Sequence, residues 1–338
     1  MVAVYVRDRS EIMKVLVVGG AGYIGSHTAL ALTRKGHEVV VFDNLSTGNK
    51  EAIPSAATFV QGDLLNSADI NGVLATQQFD IVMHFAAKLV VPESVEQPIA
   101  YFENNVHGVA LLLEGMRTHG VKRIIFSSTA AVYGEPKDGS FITEDTPTNP
   151  INPYGASKRA AEDLIRATEE AYGIKHVIFR YFNVAGADAA GNIGLSPKTA
   201  PTHLVPVINE TLLGKRQETK VFGTDYASPD GTCIRDYIHV SDLADAHVLG
   251  AEHLLQEPTS ATINLGSHSG FSVMEIIKAA EEEIGQQLNY VVAPRRAGDP
   301  SVLVAANIKA KELLGWAPTR TVQEMIRSDY EWRAHPKY

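Results

Sequence analysis

An apolar run at residues 14–18, Lys-Val-Leu-Val-Val, leads directly into Gly-Gly-Ala-Gly-Tyr-Ile-Gly at 19–25, and the pattern then turns helical through Ile24, Leu30 and Leu32 to Gly36. Buried strand, glycine turn and helix in that order open a βαβ unit, which commits the chain to a parallel sheet covered on both faces. Gly19 permits the tight turn, Gly22 lets backbone approach a pyrophosphate, and Gly25 allows close helix packing. With Tyr23 and Ile24 the helix begins, and its N-terminal N–H groups are donors for phosphate oxygens. The next apolar run, 38–42, ends in Asp43, 24 residues after Gly19. An acid there suits the adenosine ribose hydroxyls and repels a 2′-phosphate, so the spacing predicts NAD rather than NADP. A lone glycine motif would mark only a turn; its strand, helix and acid make it a nucleotide site.

Strand and helix signals continue to alternate, with strands expected at 58–61, 81–84, 123–126 and 177–180. This is an α/β pattern, a doubly wound parallel sheet of Rossmann type. Each strand ends in small or polar residues, at 62–63, 85–87, 127–129 and 181–183, and ligands of such sheets bind beyond those ends. We expect a nucleotide-binding domain over 13–183 and a smaller mixed α/β substrate lobe over 184–338, some of which returns to the first domain. Residues 1–12 read as an appendage. With 338 residues, 45% of them hydrophobic, the chain can bury a large core. A net charge of −9 without a basic block argues against nucleic acid or membrane partners. The single cysteine, Cys233, and the lack of a long apolar stretch point to the cytoplasm. Twelve histidines show no metal-ligand spacing, so no metal is expected; His84 reads as a packed, hydrogen-bonded side chain.

Tyr154 and Lys158 stand four apart in Pro-Tyr-Gly-Ala-Ser-Lys (residues 153–158) and so share one helix face. A cation ~5 Å from a phenol at an effective dielectric of ~20 favours the phenolate by about 3 kcal/mol. Oxidised nicotinamide adds a second positive charge, so Tyr154 is the expected base for an alcohol that loses hydride. On an arbitrary helix the same pair would be an amphipathic ring beside a solvated charge; the glycine turn upstream gives it chemical meaning. Thr129 could hydrogen-bond the reacting oxygen, or merely cap the chain at its strand end.

These segments resemble the extended short-chain dehydrogenase/reductases and, within them, the UDP-glucose (UDP-galactose) 4-epimerases. The motifs that carry the resemblance are 19–27, Asp43-Asn44-Leu45, Gly62-Asp63, His84-Phe-Ala-Ala (84–87), Asn104-Asn-Val (104–106), Ser-Ser-Thr-Ala-Ala-Val-Tyr-Gly (127–134), Tyr154 with Lys158, Arg-Tyr-Phe-Asn (180–183), Asp230-Gly231 with Arg-Asp-Tyr-Ile-His-Val (235–240), and Pro-Arg-Arg-Ala-Gly-Asp (294–299). The resemblance implies that Asp43 and Asn44 hold the ribose, Asp63 and Leu64 the adenine, and Phe85, Ala86, Asn104 and Lys158 the rest of NAD. It also implies Tyr154 as catalytic base. On the substrate side it implies Asn183 at phosphate or sugar, Leu204 and Phe222 beside uridine, Asp299 at a ribose hydroxyl, and Arg235 and Arg296 on the diphosphate, where forked cations suit. The implied isomerase reaction interconverts UDP-galactose and UDP-glucose through a 4-keto sugar.

Ala130-Ala131 stands where a 4,6-dehydratase needs an acid pair, which disfavours that chemistry. An epimerase of UDP-N-acetylhexosamine or UDP-uronate remains an alternative, as does a non-catalytic NAD-sensing module. The segment 88–92 carries Pro92 where many relatives have glycine, Thr202-His203 replaces a paired asparagine, and Leu303 lies near a position some epimerases fill with tyrosine, which could admit an N-acetyl group. Apolar residues at helical spacing (Val106, Val109, Leu112, Leu113 and Met116; Ala160, Ala161, Leu164, Ile165 and Ala171) read as core faces. By family analogy those two helices also pair across a homodimer.

Overall fold

Alternating buried strands and amphipathic helices close into one large sheet, in a computed structural model that describes residues 12–135, 141–196, 201–296 and 300–338. The strands are β1 (Lys14–Val18), β2 (Glu38–Asp43), β3 (Thr58–Gln61), β4 (Ile81–His84), β5 (Arg123–Ser127), β6 (Lys175–Tyr181), β7 (Asn183–Ala185), β8 (Thr219–Phe222), β9 (Ile234–His239), β10 (Ala261–Leu265), β11 (Gly270–Ser272), β12 (Tyr290–Ala293) and β13 (Val302–Leu303). Seven of them pair in the order β10-β6-β5-β4-β1-β2-β3, all parallel. The fold is therefore the doubly wound α/β sheet expected from the alternation, with its reversal of direction between β1 and β4. The seventh strand was not among the expected ones: Ala261–Leu265 comes from the second half of the chain and pairs with β6.

Both faces of the sheet are covered because its central strands are apolar on both sides. Val15, Val17, Val41, Ile81 and Met83 lie under the helices Tyr23–Arg34 and Val240–Gln256, while Leu16, Val18, Val82, Ile124 and Phe126 pack beneath Gly108–Thr118 and Pro153–Tyr172. Burying each such side chain contributes about 1.5–3 kcal/mol. Val109, Leu112, Leu113 and Met116 join this core, as does the pair Ala161 and Ile165. Ala171 does not, and is corrected to a solvent position in the last turn of Pro153–Tyr172, past Thr168, the last buried residue of that helix.

A separate cluster, built around Val205, Ile208, Ile276, Ile277, Met325 and Ile326, forms the core of the smaller half. Its helices Leu204–Leu212, Val273–Ile284 and Val322–Ala334 pack on one another, and two of them start with reciprocal capping boxes, Ser272 with Glu275 and Thr321 with Glu324. Strand β7 follows the carboxyl end of β6 and pairs with β9, tying this half to the large sheet through β6.

Candidate active site

The glycine turn and the ends of β2, β3, β4 and β5 meet at one edge of the sheet, on either side of the point where strand order reverses. Gly19 has φ +78, and a Cβ there would stand 2.5 Å from the amide nitrogen of Ala86. A Cβ at Gly25 would lie 2.3 Å from the Gly19 carbonyl oxygen, so the helix can sit this close to the turn only without one. Gly22 is the N-cap of Tyr23–Arg34 and no side chain caps that end. A Cβ at Gly22 would meet only the Gly19 oxygen, at 3.3 Å, so the helix terminus opens on the cleft and a pyrophosphate fits there.

Asp43 is buried at the end of β2 and accepts hydrogen bonds from the Ala21 amide (3.0 Å) and the Leu45 amide (2.8 Å). It braces the glycine turn, and a carboxylate retains further acceptor capacity for ribose hydroxyls. Asn44 donates to Asp63 (3.1 Å), bringing those two expected adenosine contacts together. Phe85 and Ala86 follow β4 as partly exposed residues beside Gly19. Ile24 packs on the core, and the Asn104 side chain donates to Asn105 Oδ1 at 2.9 Å.

Two of the expected cofactor residues commit their side chains elsewhere, and the expectation that His84 is hydrogen-bonded is corrected. The Leu64 side chain is buried in the core against Gly108, so only its backbone is left for a base. The Tyr23 hydroxyl donates to the Gly186 carbonyl (2.5 Å), which leaves its backbone for the turn. His84 is packed against Phe126, but neither ring nitrogen has a hydrogen-bond partner among the described residues, and burial beside Lys158 lowers it to about 3.

Asn152 caps the long helix by accepting the Gly155 amide (2.9 Å), with Pro153 at its first position. Tyr154 therefore lies in the first turn and Lys158 one turn later. The Thr129 oxygen accepts the Ala131 amide (3.2 Å), which leaves its hydroxyl hydrogen free to act on the neighbouring Tyr154 phenol, whose proton affinity it lowers. Capping and contact with the phenol are thus both done by one threonine. The Tyr154 ring is partly exposed, with its hydroxyl enclosed, and it meets Tyr101 edge-on at 6.5 Å. Enclosure raises the phenol above its ordinary range, opposed by the Thr129 hydrogen bond. Lys158 is buried with its Nζ over the Phe126 ring, 4.4 Å from its centre, and burial pulls the ammonium down to about 7 against the pull of Glu162. The help that the Lys158 charge and the nicotinamide charge are expected to give the Tyr154 phenol therefore depends on what offsets the burial of that amine.

On the smaller half, Arg296 lies over the Phe222 ring at 4.0 Å, so two of the expected uridine-diphosphate contacts touch. Leu204 opens the helix Leu204–Leu212. Leu303 pairs in register with Arg235 across β13 and β9 and packs beside Ala130, Val132 and Tyr133. Asn183 donates to the Asp236 carbonyl at 3.1 Å. Asp299 lies outside the described residues. Among the described residues no group of three or more His, Cys, Asp or Glu side chains could hold a metal ion, and no helix is long and apolar enough to cross a membrane.

The family model for NAD dependent epimerases and dehydratases matches residues 15–266. This chain belongs to the NAD dependent epimerase/dehydratase family. It is similar to a protein of Halalkalibacterium halodurans named UDP-glucose 4-epimerase, 47% identical over 96% of this chain and 97% of that one. Among solved structures it is similar to a UDP-glucose 4-epimerase at 47% identity, with a TM-score of 0.93 over 96% of this chain and 98% of that one. The UDP-glucose 4-epimerase of Bifidobacterium longum, solved in complex with NAD+ and UDP, superposes with a TM-score of 0.90 at 40% identity, covering 96% and 98% of the two chains.

In this member of the epimerase/dehydratase family several residues that sequence reasoning passed over bear on the site. A Cβ at Gly155 would lie 2.5 Å from the Ala131 carbonyl oxygen, so its absence lets the catalytic helix approach the Thr129 turn. Asn105 accepts the Lys88 amide (2.9 Å) and donates to Ser157 (3.0 Å), joining the loop after β4 to the Tyr154 helix. Both sit inside the quoted motifs, but nothing local says what they touch.

Proposed function

We propose that this chain is an isomerase that interconverts UDP-galactose and UDP-glucose, using NAD as a tightly held cofactor. The observation that carries the reading is the Tyr154 phenol next to the Thr129 hydroxyl, with Lys158 one turn along, in a sheet whose glycine turn leaves room for a pyrophosphate. NAD, when bound, accepts a hydride from sugar C4 and later returns it. Tyr154, as phenolate, takes the proton of the 4-hydroxyl while C4 becomes a carbonyl; Thr129 donates to the sugar oxygen as charge develops there. After the keto sugar turns over, Tyr154 gives the proton back to the oxygen and the other face of C4 is reduced. The net redox change is zero. Asp43, Asn44, Asp63, Phe85, Ala86, Asn104 and Lys158 hold the dinucleotide. Asn183, Leu204, Phe222, Arg235, Arg296 and Asp299 hold the UDP portion, so that remote binding energy retains a sugar that must rotate.

A homodimer fits the same reading. Pro98, Ile99, Phe102, Val106 and Ala110 form a largely apolar face, shared with Glu103 and His107, that runs from Pro98 into Gly108–Thr118, and Ile99 is 83% exposed. An apolar face this open favours a second copy of the chain. The chain divides into a cofactor domain centred on 13–183 and a substrate half from 184, with Ala261–Leu265 returned to the first. A cytoplasmic setting fits the single, buried Cys233.

The test is to incubate the purified protein with UDP-galactose without added cofactor, assaying UDP-glucose and protein-bound nicotinamide. Turnover is expected in the wild type, and Tyr154→Phe should lower kcat by on the order of 10²–10⁴ with NAD still bound. A wild type that binds NAD but forms no UDP-glucose would reveal a sensing module instead.

A further inference from the structure

Directly behind the Tyr154 and Lys158 side chains lies a buried polar network that the proposed chemistry has not yet used. Glu162 follows Lys158 by four residues on the same helix face and is fully buried. Its carboxylate accepts Ser128 Oγ (2.6 Å), Arg180 Nε (2.9 Å) and Nη2 (2.5 Å), and Arg166 Nη2 (2.9 Å). Ser128 immediately precedes Thr129, and Arg180 lies near the end of β6. Arg180 continues the network through Nη1 to the Tyr133 hydroxyl (3.0 Å), which donates to Asn264 on β10 (2.7 Å). One carboxylate therefore joins the catalytic helix to the ends of β5 and β6, and through Arg180 to β10.

We propose that Glu162 is a positioning residue of the C4 oxidation, holding the Thr129 turn against the Tyr154 helix and fixing a negative charge one turn behind Lys158. This rests on the reading of Tyr154 as the base.

The surroundings of Lys158 leave Glu162 as its source of negative charge. Packed around Lys158 are Tyr154 and Glu162 on its own helix, His84 at the end of β4 and the Phe126 ring on β5. His84 is neutral where the enzyme works, since burial lowers it to about 3, and Phe126 carries no charge. Glu162 opposes the burial that draws Lys158 down to about 7. Facing Glu162 are Arg180 and His176 from β6, Ser128 just after β5, and Arg166 and Lys158 from its own helix; the two arginines and Ser128 hold its carboxyl below the ordinary range. A carboxylate so anchored stays charged across the working range of pH. Two paired arginines also fix where it sits, which a free glutamate one turn from a lysine would not do.

The test compares kcat against pH for the holoenzyme, wild type and variants, with bound NAD measured in each. Glu162→Gln keeps the shape and removes the charge, so the alkaline limb should move to lower pH by about two units, the size set by a charge ~6 Å away at an effective dielectric of ~20. Because Glu162→Gln leaves Arg180 buried without its carboxylate, the paired variant Glu162→Gln/Arg180→Gln is measured alongside it, with the same shift expected. Ser128→Ala removes one tie but not the charge; it should lower kcat by several-fold without moving the limb, and Glu162→Asp should return the limb toward wild type. A folded, NAD-containing Glu162→Gln or paired variant whose limb coincides with wild type would overturn the proposal, and so would Ser128→Ala moving the limb as far as Glu162→Gln does. Failure of both neutral variants to fold would assign Glu162 to the core alone and overturn it too. A wild type without epimerase turnover is a separate result, which removes the base assignment itself.

Discussion

Gly155 shows how little separates a helix that packs from a helix that catalyses. It sits between Pro153-Tyr154 and Lys158, where the catalytic helix passes over the turn that carries Thr129, and the space for a methyl group is taken by the Ala131 carbonyl at 2.5 Å. A carbonyl held in a turn cannot swing aside as a long side chain would, so an added Cβ must move the helix or the turn. Gly155→Ala should therefore separate Tyr154 from Thr129 and lower kcat at least tenfold, with NAD content near wild type because the glycine turn at 19–25 is untouched. Steady-state kinetics with a nicotinamide assay on the same preparation checks this; unchanged kcat would show that the close approach is dispensable. The tyrosine and lysine were legible at this scale, since four-residue spacing on a helix is a local property. The titration of Lys158 was not, because its neighbours Phe126 and His84 arrive from strands elsewhere in the sequence.

Among the elements, the segment from Pro98 to Thr118 does two jobs. Its inward face, with Val109, Leu112, Leu113 and Met116, is core, while Ile99, Phe102 and Val106 point outward together. Sequence periodicity placed Val106 with the inward set; the helical winding widens at Glu103–His107 into a π-turn, and that change of phase leaves Val106 on the outer, partly exposed side. Ile99→Glu puts a charge at the centre of the proposed dimer contact and leaves the core unaltered. The mutant should run at half the mass of the wild type by light scattering at micromolar concentration, with near wild-type secondary structure. A monomeric wild type would remove the dimer reading outright. The same element carries Asn105, whose ties to Lys88 and Ser157 link this outer face to the active-site side of the helix layer.

At the scale of the whole molecule, five buried histidines make stability depend on pH. His27, His176, His239 and His247 are lowered to about 4 and His84 to about 3, in each case chiefly by burial. In the unfolded chain these groups titrate near ~6.5, so below that value the unfolded state binds more protons than the folded one. The stability they contribute is fully present above pH ~6.5 and is lost as pH falls toward about 4. Melting temperature should thus be flat from pH 8 to 7 and drop steeply between 6.5 and 4.5; a constant Tm across that lower window would contradict the buried neutral assignment. Much of the molecule was legible before any coordinates: β1 to β6, the glycine turn and the acid after β2 are written in adjacent residues, because strand alternation, helix period and turn geometry act over a few positions. Only the tertiary structure decided that β10 closes the sheet beside β6, that Thr129 meets Tyr154, and that Glu162 faces Arg180 behind Lys158. Such contacts join residues far apart in the chain, and which of them form depends on how whole faces pack and on which buried charges must find partners, quantities that no local pattern records.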